Sequence, residues 1–182
     1  MHVTRPSGAG GSRSALYRGV KAGVWDRIAR GLYVPVDAPV TDWDQLEAVT
    51  RRPESTICLL SALAQYDLTD EIPDALDVAI PRGVRAPVVD GAIRWHHFDR
   101  ESFAIERHEI TIPGGDQTIG IYTPERTIAD CYRLRGSIGY EIARDATKEW
   151  LSRGGKPARL LEVASQLPRA KSPVLRALEV MA

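Results

Sequence analysis

Cysteine is scarce: the chain has two, Cys58 and Cys131, among 182 residues. Neither belongs to a Cys-x-x-Cys pair and both sit inside apolar helical patterns. They read as buried free thiols in a reducing cytoplasm, not as a disulfide framework. Net charge is also missing, because 24 Lys and Arg balance 24 Asp and Glu. That balance excludes the general nucleic-acid affinity of a uniformly basic chain. No apolar run approaches the roughly 18 residues of a membrane span. The basic N-terminus is not followed by the apolar stretch of a signal peptide, so no membrane role is expected. What remains is ordinary globular composition, 43% apolar and 26% charged, with enough chain for one good-sized domain and a small appendage.

Neutrality conceals a pattern along the chain. Residues 1–36 carry six basic residues against one acid, while residues 37–80 carry ten acids against two bases. Local basic and acidic surfaces with different partners are therefore expected. Residues 1–12, rich in Gly and Ser, read as a flexible leader. Ser14 to Ala22 reads as a short helix ended by Gly23, followed by two strands around Arg30-Gly31. Thr41, as an N-cap with Asp44 three residues on, opens a helix that closes at Pro53. Ser55 to Tyr66, apolar all the way round, reads as a central buried helix.

Strands are expected at Leu76 to Ile80, Ile93 to Phe98, Glu106 to Ile112 and Gln117 to Tyr122, the last two joined across Pro113 to Asp116. Helices follow from Thr123 to a stop at Gly136, from Tyr140 to Ser152, from Pro157 to Leu167, and from Pro173 to Met181 with Ser172 as cap. Segregated helices and strands point to an α+β fold with a small, mainly antiparallel sheet and a helical C-terminal part.

Catalytic motifs are wanting. His96 and His97 are adjacent on a strand and face opposite ways, so they cannot grip one metal ion together. His108 on a neighbouring strand could meet one of them, without a Cys or carboxylate pattern to complete a site. There is no G-x-S-x-G elbow, no phosphate-binding G-x-x-x-x-G-K-[ST] loop, and no G-x-G-x-x-G after a strand. Gly136-Ser137 lacks the paired Asp of a nucleotidyltransferase, and Asp145-Ala146-Thr147-Lys148 has the wrong spacing for a metal-dependent nuclease. The expectation is a protein without catalytic residues, metal or cofactor.

Three strings are more specific. Arg27-Ile28-Ala29-Arg30-Gly31-Leu32-Tyr33-Val34 looks like the wing strand of a winged helix. Ile57-Cys58-Leu59-Leu60-Ser61-Ala62-Leu63, followed by Leu68-Thr69-Asp70-Glu71-Ile72-Pro73, is a helix-to-turn string. The third runs Tyr122-Thr123-Pro124-Glu125-Arg126-Thr127-Ile128-Ala129-Asp130-Cys131-Tyr132-Arg133. In this order and spacing they resemble the AbiEi family of bacterial antitoxins and associated transcriptional regulators, from about Leu16 onwards.

The resemblance implies a non-enzymatic antitoxin whose partner is a nucleotidyltransferase-like toxin. It also implies an N-terminal winged helix that binds the operon's own promoter, so the alternative reading is a DNA-binding transcriptional regulator. The expected division is a leader (1–12), a winged-helix remnant (13–40) and an antitoxin domain (41–182). Too few residues precede the wing to supply two supporting helices. Either DNA reading has been lost here or the true start codon lies upstream.

Candidate residues follow from this reading. Arg13, Arg18, Lys21, Arg27 and Arg30 are the DNA-binding candidates. The acidic block, with Asp42, Asp44, Glu47, Asp70, Glu71 and Asp74 as its leading members, is the candidate toxin-facing surface, matched to the basic groove of an RNA-handling partner. Arg126, Asp130 and Arg133 fall at i, i+4 and i+7 on one helix face and are expected to form a structural ion-pair network.

Overall fold

The computed structural model describes residues 13–29, 32–37 and 42–181. Helix α1 (Arg13–Lys21) ends where Gly23 turns left-handed at φ +69°. Gly23 N–H donates to the Val20 carbonyl and Val24 N–H to that of Gly19, so two terminal carbonyls are satisfied. Strands β1 (Trp25–Ala29) and β2 (Leu32–Pro35) then pair antiparallel, with Arg27 opposite Tyr33. Leu16 from the helix and Ala29, Leu32 and Val34 from the hairpin are buried. Helix then hairpin is the order expected from the sequence. The leader, the Arg30-Gly31 turn and Thr41 lie outside the described residues. The cap of α2 (Trp43–Arg51) is Asp42, whose carboxylate accepts from Gln45 N–H at 3.0 Å.

The next segment departs from expectation. Thr56–Ile57 is a strand, β3, and helix α3 begins only at Leu59 and runs to Gln65. Pro53 and the β-branched pair Thr56-Ile57 disfavour helix here. A central strand covered on both faces is apolar on both sides, so its run is easily taken for a buried helix. β3 joins two halves of a five-stranded sheet with β4 (Leu76–Pro81), β5 (Ile93–Phe98), β6 (Arg107–Thr111) and β7 (Thr118–Tyr122), in the order β5-β4-β3-β7-β6. Pairings β3/β4 and β6/β7 are antiparallel, whereas β4/β5 and β3/β7 are parallel. The sheet is therefore mixed, a correction to the mainly antiparallel expectation. Strand β5 runs parallel to β4 because the 82–92 connection is long enough to return the chain to the same end, and no local sequence signal marks that return.

Short α4 (Arg100–Phe103) follows β5. Helix α5 (Pro124–Arg133) starts as expected, with Thr123 Oγ1 accepting from Arg126 N–H and Pro124 in the first turn. It stops at Arg133, and Gly136 lies inside a further short helix, α6 (Arg135–Ile138), instead of ending α5. Then come α7 (Tyr140–Ser152), α8 (Pro157–Ser165) and α9 (Lys171–Met181). Ser172 is within α9 and does not cap it. Pro173 is tolerated there because the first turn of a helix has no use for its N–H.

Alternation along the strands separates two cores. Ile57, Val78, Ile119 and Ile121 pack with Leu46 of α2 on one face of the sheet. Cys58, Ala79 and Tyr122 point the other way, into the larger cluster with Leu63, Ile128, Tyr132, Trp150 and Leu160. The chain is α+β, and α5 lies at the centre of its helical layer, touching α3, α7, α8 and α9. Among the described residues no helix is long and apolar enough to cross a membrane.

Candidate functional site

Buried charge is concentrated on α5. Arg126 and Asp130 are both fully buried. Arg126 Nε donates to Asp130 Oδ2 at 2.7 Å, and its Nη1 donates to the carbonyls of Ser102 and Ile105 at 2.7 and 2.8 Å. Its guanidinium lies 4.3 Å from the Tyr122 ring centroid. Arg133 donates from Nε and Nη2 to the other oxygen of Asp130, at 3.0 and 2.8 Å. One carboxylate thus holds both arginines, and Arg126 ties α5 to the α4 segment. The same core encloses Cys58 and Cys131, and burial pushes both thiols up, so neither is a ready nucleophile.

The acidic block does not form one surface. Glu47 is 2% exposed. Its carboxylate accepts from Asp90 and Gly91 N–H and pairs with Arg51, so it anchors the 82–92 connection to α2 and is not available to a partner. A Cβ at Gly91 would meet the Asp44 carboxylate, so a larger residue there would have to displace that side chain. Asp42, Asp44 and Asp74 line one shallow depression. Burial and the neighbouring Asp42 raise the Asp44 carboxyl, and hydrogen bonding to Arg94 lowers that of Asp74. Asp77, included in the acidic block, is buried beneath Arg94 and His96, which reach its Oδ1 at 3.3 and 2.8 Å.

Asp70 and Glu71 instead face a separate cleft of about 480 Å³, with Asp67 beside them. Across it stand Glu141, Asp145 and Glu149 of α7, which the sequence reading missed. Their i, i+4, i+8 spacing placed them on one helix face all along. Arg153 spans this cleft, donating to Glu149 at 2.7 Å and to the carbonyls of Tyr66 and Asp67.

The N-terminal basic candidates are only partly visible. Arg18, Lys21 and Arg27 are exposed. Lys21 Nζ lies 5.2 Å over the Tyr17 ring, and Arg27 Nε donates to the Ala29 carbonyl. Arg30 and the side chain of Arg13 lie outside the described residues. The described histidines do not converge: His96 meets Asp77, His97 Nε2 lies 2.9 Å from the Val84 carbonyl oxygen, and His108 sits 3.4 Å from the Tyr66 hydroxyl.

A second cleft, of about 770 Å³, was not anticipated at all. Arg133, Arg135, Arg169 and Arg176 line it with Tyr140, and among the described residues no carboxylate does. These arginines come from α5, α6, the α8–α9 turn and α9, so no sequence spacing could have grouped them.

No family model matches the chain, and no curated protein is a significant match to it. The clefts therefore have to be read from their own chemistry.

Proposed function

We propose that the chain is an antitoxin of the AbiEi type, cytoplasmic and non-enzymatic, that neutralises a nucleotidyltransferase-like toxin by direct contact. The three sequence strings supply the family expectation. The observation that carries direct contact is the acidic cleft between the 67–71 turn and α7, where Asp67, Asp70, Glu71, Glu141, Asp145 and Glu149 converge. A partner that handles RNA presents a basic groove, and a concave acidic surface complements it and speeds the encounter. The proposed contact set is thus Asp70 and Glu71 with the α7 acids, and Glu47 is excluded from it.

The test is co-expression with the neighbouring gene and size-exclusion of the pair across salt. A 1:1 or higher complex that weakens as salt rises, and that Asp70→Lys with Glu71→Lys and Glu141→Lys abolishes, supports the reading. A complex indifferent to both salt and charge reversal overturns the acidic contact.

A second reading, a DNA-binding regulator, is favoured by the exposure of Arg18, Lys21 and Arg27 on α1 and β1. Retardation of a promoter fragment with steep salt dependence, lost in Arg18→Ala with Lys21→Ala, is its signature.

A further inference from the structure

We propose that the arginine cleft bounded by α6, the α8–α9 turn and α9 binds a nucleoside polyphosphate. The first ground is a concentration of uncompensated charge in one concavity. Elsewhere some exposed or half-exposed arginines find acids, as Arg82 does with Asp99, Arg94 with Asp74, Arg144 with Asp145, Arg153 with Glu149 and Arg159 with Glu106, while among the described residues Arg52 and Arg100 donate only to backbone carbonyls. In the cleft only Arg133 is neutralised, by Asp130. Arg135 donates to the Tyr132 carbonyl, and neither it nor Arg169 nor Arg176 makes an ion pair among the described residues. Three guanidinium groups around one concavity, each without an acid, raise its positive potential and draw an anion to it. Guanidinium forks match phosphate oxygens, and three of them match the charge of a di- or triphosphate.

The second ground is backbone. Arg169 holds φ +61°, a left-handed conformation that suits glycine, yet the position carries an arginine that lines the cleft. The third is an aromatic wall. The Tyr140 ring is 40% exposed and set edge-on to Tyr132, with centroids 6.0 Å apart. A ring fixed on one side and open on the other is a platform for a base. Leu134, Pro173 and Ala177 provide apolar lining between ring and charge. A volume of about 770 Å³ suits a nucleotide-sized ligand. This inference is independent of the antitoxin reading, and its test needs no toxin.

The experiment is calorimetric titration of the full chain with ATP and, separately, with tripolyphosphate. ATP is expected to bind more tightly than tripolyphosphate. Arg176→Glu and, separately, Arg135→Gln are expected to weaken ATP by about tenfold, the loss of one charge-assisted contact. Tyr140→Ala is expected to weaken ATP severalfold and leave tripolyphosphate unchanged. Both arginines are exposed, and a thermal melt matching the wild type establishes that each variant is folded. No binding of ATP at about 1 mM, wild-type affinity in both arginine variants, or equal affinity for tripolyphosphate and ATP would each overturn the proposal. So would tighter binding of a uridine hexamer than of ATP, which would make the cleft a strand-binding groove.

Discussion

Two groups of arginines lie side by side and are treated in opposite ways. Arg126 is enclosed by the core, and each of its charge-bearing contacts is met by Asp130, two carbonyls or an aromatic face. Arg135, Arg169 and Arg176 surround an open cleft lined by no acid among the described residues. A buried charge is tolerated only when fully paired, since desolvation is costly; an exposed one is tolerated unpaired, since water solvates it. The contrast separates residues that hold the fold from residues that are free to meet a ligand. It also shows why charge counts along the chain mislead: residues 123–182 carry eleven bases against seven acids, and those bases are of both kinds.

The sharpest way to break this contrast is Asp130→Ala. It strands Arg126 in the core and removes both bonds to Arg133, so a loss of about 3–5 kcal/mol in urea unfolding is expected. Arg126→Met together with Asp130→Leu should recover part of that loss, because the pair then leaves together. Recovery stays incomplete, since the carbonyls of Ser102 and Ile105 lose their donor. A variant of Asp130 that keeps full stability and loses toxin neutralisation would reassign the network to function.

Tyr132 connects the two groups. Its hydroxyl accepts from Thr147, its carbonyl accepts from Arg135, and its ring meets Tyr140. Burial pushes its phenol up from 10 to about 12. The folded state therefore holds this proton more tightly than the unfolded chain does. Its contribution is complete below pH 10 and is lost as pH rises through the folded value near 12. Alkaline unfolding of Tyr132→Phe should accordingly be shallower over that window than in the wild type. Equal slopes would place the responsible phenols elsewhere, Tyr122 and Tyr66 being the next, since burial raises both.

Arg169→Gly is a smaller effect of opposite sign. Relief of a left-handed non-glycine residue is worth about 1–2 kcal/mol, and the added chain freedom of glycine takes back about 0.5–1 kcal/mol. A net gain of about 0.5 kcal/mol in unfolding free energy, with weakened ATP binding, is expected. A loss of stability would show that Arg169 works for the fold after all.

How much of this was legible in the sequence follows from the range of each interaction. Asp130 and its arginines were legible because i, i+4 and i+7 are neighbours on any helix. The Thr123-Pro124 start of α5, the β6/β7 hairpin and the Tyr140–Ser152 helix were legible for the same local reason. β3 was not, because two residues carry too little periodicity to outweigh the helix that follows. The parallel pairings were not, because they depend on long-range return of the chain. Glu47 looked like one surface acid among several, and only the fold brings Asp90 and Gly91 N–H onto its carboxylate. The arginine cleft was illegible for the same reason, being assembled from four separate segments.

The smallest expected effect is the most discriminating. Arg135→Gln combined with Arg176→Gln removes two charges, no ion pair and one hydrogen bond from an exposed guanidinium to the Tyr132 carbonyl, so unfolding free energy should move by less than about 0.5 kcal/mol. Its sign should be toward stability at low salt, because neighbouring positive charges no longer repel, and the gain should vanish as salt screens them. Arg133→Gln, lining the same cleft, should not behave this way. It takes two hydrogen bonds from Asp130 and leaves part of a buried carboxylate without a donor, so it destabilises at any ionic strength. If the two cleft arginines cost as much as Arg133 does, the division between compensated and uncompensated arginines fails, and the cleft is part of the scaffold.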